Sequence, residues 1–244
     1  MRTAEVDRAG IYLKHMKTAD APEEYLAPGE FVDSGDAGVV AWSRRVCDGE
    51  RDDVAKVVRL YYAVRDGITY TPYCDYRSPE TYRASACLAR GSGFCVAKAA
   101  LLTAGARAVG IPARMGFADV RNHLCTTRLR TLMGGGDVFY YHGYTDLFLR
   151  GAWVKATPAF DRGLCDKFGV RPLEFDGLED SLMHPYDRSG RRHMEYLRQR
   201  SPVPDVPVAE IIAMFEREYP RLVNGGSAAP VTQFRQEAER APVD

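Results

Sequence analysis

The sequence predicts an α+β domain, because helical and strand-like patterns occupy separate parts of the chain. Apolar residues recur at helical spacing over 36–67 and again over 95–109, as they do in helices that bury one face. The segment 139–157 is rich in aromatic and β-branched residues, and Arg150-Gly151 divides it into two runs, which is typical of a β-hairpin. We therefore expect the second helical region to pack on an antiparallel sheet.

The composition is that of an ordinary globular protein. Hydrophobic residues make up 45% and charged residues 27% of the 244 residues, and 33 basic residues balance 33 acidic ones. A net charge of zero creates no field that attracts nucleic acid or an anionic membrane surface, so we expect neither partner. No segment has the pattern of a signal peptide or a membrane span, and we expect a cytoplasmic protein.

The six cysteines show no regular spacing. They lie at positions 47, 74, 87, 95, 125 and 165, without a Cys-x-x-Cys pair. Structural zinc sites and disulfide frameworks have more regular patterns. We expect reduced thiols, most of them packed in the core, and a protein without metal or organic cofactor.

The order of these patterns divides the chain into four parts. They are an N-terminal lead-in over 1–34, a core over 35–165, an extension that packs on the core over 166–222, and a flexible tail over 223–244. The extension is predicted to contain a helix over 191–200 and an amphipathic helix over 208–219. The sequence does not indicate an oligomeric state.

Cys95 follows a glycine-rich turn, with Ser92 as the expected N-cap, and opens an alanine-rich helix. Unpaired backbone N–H groups and the positive end of the helix dipole lie at this position, and both favour a thiolate. A thiolate is the nucleophilic form of cysteine. The spacing alone is equally compatible with a small buried hydrophobic residue, which is the role of many free cysteines.

The hairpin predicts where His142 lies. If residues 150–151 form the turn, the numbers of two paired residues sum to 301, and His142 lies opposite Ala159. Because side chains alternate between the two faces of a sheet, Thr157 then shares the face of His142 as a diagonal neighbour, and so does Asp161 if the strand continues past Pro158. Either side chain could orient the imidazole.

Cys95 and His142 together have the chemistry of a thiol nucleophile and its base. The sulfur attacks a carbonyl carbon, while the imidazole accepts the thiol proton and later protonates the leaving group. The backbone N–H of Cys95 would stabilise the oxyanion, and a third group would fix the tautomer of the imidazole.

Three motifs resemble the transglutaminase-like superfamily, which has a papain-like cysteine fold. They are Gly93-Phe94-Cys95 at the start of a helix, Gly110-Ile111-Pro112-Ala113-Arg114 at its end, and a histidine-bearing strand followed by Trp153-Val154-Lys155-Ala156-Thr157-Pro158. The resemblance covers about residues 35–165 and implies that Cys95 is the nucleophile and His142 the base. In that superfamily the third residue is usually an aspartate directly before the proline, where this chain has Thr157. We therefore prefer Asp161, four residues on, as the residue that orients His142.

Other polar residues are weaker candidates for the site. His123 is the rival base, although a histidine beside a loop asparagine is more often structural. His184 and His193 lie outside the resembling segment and are expected at the surface. Lys98 lies one turn after Cys95 and could support a thiolate, but a solvated lysine is the more ordinary interpretation.

The predicted activity is acyl transfer through a thioester on Cys95, with a peptide, amide or thioester as the substrate. We expect hydrolysis of an amide or peptide, because water is always available. Transfer of the acyl group to an amine is an alternative, since only the attacking group differs. A non-catalytic binding module of the same fold is a further alternative, which the threonine in the aspartate position favours.

Overall fold

The computed structural model describes residues 23–225 and 229–239, so most of the predicted lead-in, residues 1–22, lies outside it. The helices are α1 Ala37–Val46, α2 Asp53–Gly67, α3 Ala84–Arg90, α4 Cys95–Ala108, α5 Thr127–Leu132, α6 Arg162–Lys167, α7 Val208–Glu218, α8 Pro220–Gly225 and α9 Gln233–Ala238. The strands are β1 Thr69–Tyr70, β2 Ser92–Gly93, β3 Ala113–Asn122, β4 Val138–Leu149, β5 Ala152–Ala156 and β6 Met194–Gln199. This mixture of helices and antiparallel sheet is the predicted α+β class.

The larger sheet has four antiparallel strands in the order β5-β4-β3-β6. Strands β4 and β5 form the predicted hairpin, and the residue numbers of all five of their pairs sum to 301. Arg150 and Gly151 have φ of 51° and 81°, the left-handed values that a type I′ turn requires. The ladder ends with β5, and His142 pairs with Ala118 of β3. The predicted pairing of His142 with Ala159 is therefore wrong.

A β-bulge interrupts β4 directly before His142. Between the positions that pair with Ala118 and Val120 of β3, β4 contributes one more residue than β3 does. Tyr141 lies in this bulge with a φ of 56°, a conformation that costs a non-glycine residue about 1–2 kcal/mol. Its backbone N–H donates to Asp119 Oδ1 at 3.2 Å, which helps to hold the bulge. Bulges of this kind redirect the neighbouring side chains and often lie beside functional sites.

Helix α4 is the centre of the core. It packs on β3 and β4 and is contacted by α1, α2 and α3. Every residue over 96–107 is buried, as expected of a helix that is surrounded on all sides. Gly105 allows one of these contacts, because a Cβ there would lie 3.0 Å from the ring of Trp42.

The buried positions of α4 include Lys98, which is 0% exposed. Its ammonium group donates to Arg65 O at 3.0 Å and to Ile68 O at 2.6 Å. Both carbonyls lie at the C-terminal end of α2, where no further turn of helix satisfies them. The expectation of a solvated lysine is wrong, since Lys98 caps α2 from the neighbouring helix.

The C-terminal part of the chain differs from the prediction in two segments. The segment 191–200 contains β6, not a helix, and β6 pairs with the free edge of β3. The predicted amphipathic helix is confirmed as α7. Within the predicted flexible tail, α9 packs with Phe234 buried. None of the helices in 23–225 and 229–239 combines the length and the apolar character that crossing a membrane requires.

Candidate active site

Cys95 is the first residue of α4. The N-cap is Phe94 and not Ser92, because Ser92 and Gly93 pair with Thr69 and Tyr70 as the two-stranded parallel sheet of β1 and β2. This small sheet fixes the turn that leads into the helix. The thiol therefore lies at the helix N-terminus, beside the unpaired backbone N–H groups that the sequence predicts there.

Gly143 brings the first turn of α4 against β4. A Cβ at this position would lie 2.9 Å from Val96 Cα and 3.3 Å from Val96 N, which is closer than atoms of a side chain and a backbone pack. The approach therefore requires glycine. Cys95 precedes Val96 and His142 precedes Gly143, and the two predicted catalytic side chains line the same cavity.

The electrostatics of Cys95 differ from the expectation. Burial raises the pKa of its thiol to about 11, while the backbone N–H groups of Gly143, Val96 and Cys95 itself act in the opposite direction. The helix N-terminus thus lowers the pKa of the thiol, as predicted, but desolvation raises this pKa by more. The expected thiolate is wrong for this conformation, in which the thiol is neutral at pH 7.

His142 is buried, with 6% of its surface exposed. Burial, together with the nearby His193, lowers the pKa of its imidazole to about 4. Its Nε2 atom is buried and has no hydrogen-bond partner within the described part of the chain. The ring is therefore neutral at pH 7 and able to accept a proton, but no described side chain fixes its tautomer through Nε2.

The carboxylate of Asp161 is engaged elsewhere. Its Oδ1 accepts a hydrogen bond from Leu164 N at 3.0 Å as the N-cap of α6, and its Oδ2 pairs with Arg235 Nη2 at 2.8 Å. Among the described residues no hydrogen bond joins Asp161 to His142. The structure does not bring this predicted pair together, and the orienting role of Asp161 stays a prediction.

Thr157, the other candidate for orienting the imidazole, is 1% exposed. Its Oγ1 is buried without a hydrogen bond of good geometry, but it interacts with the hydroxyl of Tyr196, whose pKa it lowers. Its carbonyl accepts a hydrogen bond from Tyr61 Oη at 3.3 Å. Among the described residues, no hydrogen bond joins either candidate to His142.

The other described histidines, His123, His184 and His193, do not line the cavity of Cys95. His123 Nε2 is 3.5 Å from Glu195 Oε2, an arrangement that suits the structural role expected of it. His193 is 2% exposed, and its burial lowers the pKa of its imidazole to about 4. The expectation that His193 lies at the surface is therefore wrong. No group of three His, Cys, Asp or Glu side chains within 23–225 and 229–239 could hold a metal ion.

The cavity that holds Cys95 and His142 is small and only partly open, with a volume of about 30 Å³, which is room for one or two water molecules. Sequence analysis missed its walls, because they come from five separate parts of the chain. The lining residues other than the catalytic pair are Tyr70, Pro72, Tyr76, Phe94, Leu129, Met133, Phe139, Tyr140, Phe215, Tyr219 and Leu222. The apolar face of α7 was the available signal, since Phe215 lies on it.

The chain matches one family model and is similar to two solved structures. Residues 40–158 match the family model described as the transglutaminase-like superfamily. A proposed cysteine protease from Cytophaga hutchinsonii is similar in structure, with a TM-score of 0.44 and 14% identity over 77% of this chain and 57% of that chain. A proposed protease from Parabacteroides distasonis has a TM-score of 0.35 and 16% identity over 49% of this chain and 22% of that chain. Scores this low do not transfer an activity, and no curated protein matches the chain.

Proposed function

Because residues 40–158 match the model of the transglutaminase-like superfamily, we propose that the protein is a cysteine-dependent enzyme of this superfamily that transfers an acyl group through Cys95. One observation carries the proposal. The thiol at the N-terminus of α4 and the imidazole of His142 on β4 line the same cavity, and Gly143 makes that approach possible. A nucleophile and a base in one cavity are the minimum for covalent acyl transfer.

The first half of the reaction forms a thioester. Because the thiol and the imidazole are both neutral at rest, the proton moves from sulfur to His142 as sulfur attacks the carbonyl carbon. Backbone N–H groups of Cys95 and Val96 at the helix N-terminus donate to the oxyanion. When the bond to the leaving amine breaks, the imidazolium returns its proton to the amine nitrogen, and the acyl group remains on sulfur.

The second half releases the acyl group. A water molecule attacks the thioester carbonyl, gives one proton to His142 and leaves with the acyl group as a carboxylic acid, and the thiol regains its proton from the imidazolium. An amine that attacks in place of water would give an amide. We propose hydrolysis of a peptide or amide, with transfer to an amine as the alternative outcome of the same intermediate.

The unpartnered Nε2 of His142 favours a second candidate function, a binding module that keeps the fold without catalysis. An imidazole without an orienting partner is a weaker base in the geometry that the reaction needs. Trapping the acyl-enzyme separates the two functions, because a binding module forms no covalent adduct.

The experiment is intact-mass detection of an acyl adduct after mixing the protein with peptide amides and thioesters, with and without a primary amine. We expect an adduct that peptide mapping assigns to Cys95 and that Cys95→Ser abolishes. Cys125 is also partly buried, so Cys125→Ser is the matched control and should keep the adduct. Acylation at other cysteines, or at none, would contradict the enzymatic function.

A further inference from the structure

The chemistry of the cavity walls restricts the substrate. Apart from Cys95 and His142, every residue that lines the cavity is apolar or aromatic. Among these described lining residues none is Asp, Glu, Lys or Arg. A charged group that entered would lose its hydration and gain no partner, which costs far more than the entry of a hydrocarbon group.

Two of the four tyrosines in these walls use their hydroxyls on the backbone. Tyr76 Oη donates to Pro72 O. Tyr219 Oη donates to Val138 O at 2.6 Å and accepts from Tyr140 N at 2.8 Å. These two tyrosines therefore present mainly ring surface to a ligand.

Aromatic rings around the cavity already pack against one another. The ring centroids of Tyr76 and Phe94 are 5.5 Å apart and those of Tyr76 and Phe215 are 5.2 Å apart, both edge to face, and those of Phe215 and Tyr219 are 5.4 Å apart with tilted rings. Such clusters accept a further ring or a branched aliphatic group in similar geometry. Because the cavity volume is only about 30 Å³, an entering group must displace a lining side chain, such as Phe215 on α7 or Leu222 on α8.

We propose that this cavity is the subsite for the side chain adjacent to the carbonyl that Cys95 attacks, and that the substrates are amides or thioesters whose acyl part carries an uncharged aromatic or branched aliphatic side chain there. This inference rests on the proposed function, since attack by Cys95 is what fixes the carbonyl at the mouth of the cavity.

The test uses four peptidyl chloromethyl ketones that differ only in the side chain next to the reactive ketone: phenylalanine, leucine, aspartate and lysine. Each reagent alkylates the thiol, because a carbon–sulfur bond forms and chloride leaves with the thiol proton. The rate at Cys95 is measured by peptide mapping and divided by the rate with free cysteine. We expect the phenylalanine and leucine reagents to react with Cys95 at least about tenfold faster than the charged ones.

The outcomes distinguish a failure of the apolar subsite from a failure of the proposed function. Equal normalised rates, or faster reaction of a charged reagent, would overturn the apolar subsite while Cys95 remained the modified nucleophile. If no reagent preferred Cys95 over the other cysteines, and iodoacetamide, which has no side chain to place, showed no preference either, the subsite and the proposed function would both be wrong.

Substitutions in the wall give a second readout. Leu222 lines the cavity and is 4% exposed, so Leu222→Ala should enlarge the subsite and raise the rate of the phenylalanine reagent relative to the leucine reagent. Leu197 on β6 is 43% exposed, and Leu197→Ala, the matched control, should leave that ratio unchanged. The same change of ratio in both variants would count against the subsite.

Discussion

Replacing Gly143 by alanine tests whether the contact between α4 and β4 creates the site. The added Cβ would lie 2.9 Å from Val96 Cα and 3.3 Å from both Val96 N and Cγ2. Carbon atoms pack at about 3.5–4.0 Å, so relief requires a shift of roughly 0.5–1 Å. Two of the three atoms belong to the backbone, and the start of α4 must therefore move as a unit. Overpacking of this kind costs about 1–3 kcal/mol, and a displacement of about 1 Å at a reacting group costs about 100-fold in rate.

Urea unfolding measures the free-energy cost of Gly143→Ala, and the rate of acyl-adduct formation at Cys95 measures the loss of reactivity. Gly67→Ala is the matched control, because a Cβ on Gly67 at the end of α2 would have no atom within 4 Å. We expect that control to change the free energy of unfolding by no more than about 0.5 kcal/mol and to leave the rate unchanged. If Gly143→Ala behaved like Gly67→Ala, the close approach would have no role in assembling the site.

Three further predictions concern the protonation, the orientation and the covering of the site. Iodoacetamide should alkylate Cys95 at a rate that keeps rising above pH 9, because burial raises the pKa of the thiol to about 11. A rate that reaches a plateau below pH 8 would contradict a raised pKa. Asp161→Ala should lower the free energy of unfolding by about 0.5–2 kcal/mol, because it removes the cap of α6. Thr157→Val should lower kcat more than Asp161→Ala does if the threonine hydroxyl orients His142; the opposite ranking of kcat would assign that role to Asp161. Tyr219→Phe removes two hydrogen bonds that hold the cover, so unfolding should become easier by about 1–3 kcal/mol and alkylation of Cys95 faster, whereas slower alkylation would show that the cover does not limit access.

Local patterns predicted the parts of the fold that depend on neighbours in sequence. The spacing of apolar residues located α2 and α7, and Asp36 and Asp52 cap α1 and α2 as such residues do. The hairpin register was predictable because a two-residue turn fixes every pair that follows it. The position of Cys95 at the start of α4 followed from the glycine-rich turn, although the N-cap is one residue before the cysteine.

The parts that sequence analysis missed depend on contacts between distant segments. Met194–Gln199 forms a strand because β3 offers it a free edge, which no pattern within 191–200 reveals. Lys98 is buried because two carbonyls of α2 lie within reach of its ammonium group. The bulge at Tyr141 depends on partners from β3 and on Tyr219, which accepts the N–H of the preceding residue.

The small size of the cavity and the lack of an aspartate beside His142 both affect the transfer of the thiol proton from Cys95 to His142. Burial raises the pKa of Cys95 to about 11 and lowers that of His142 to about 4, so it disfavours the transfer of the proton from sulfur to imidazole. The attraction between the thiolate and the imidazolium opposes this cost, an aspartate beside the imidazole would stabilise the imidazolium further, and hydration of both groups would favour their charged forms. Because the described residues provide no such carboxylate contact, the attraction within the ion pair and hydration are the contributions that remain. We therefore expect displacement of the cover formed by α7 and α8 to precede acyl transfer, since the entry of water or substrate brings the two pKa values towards each other.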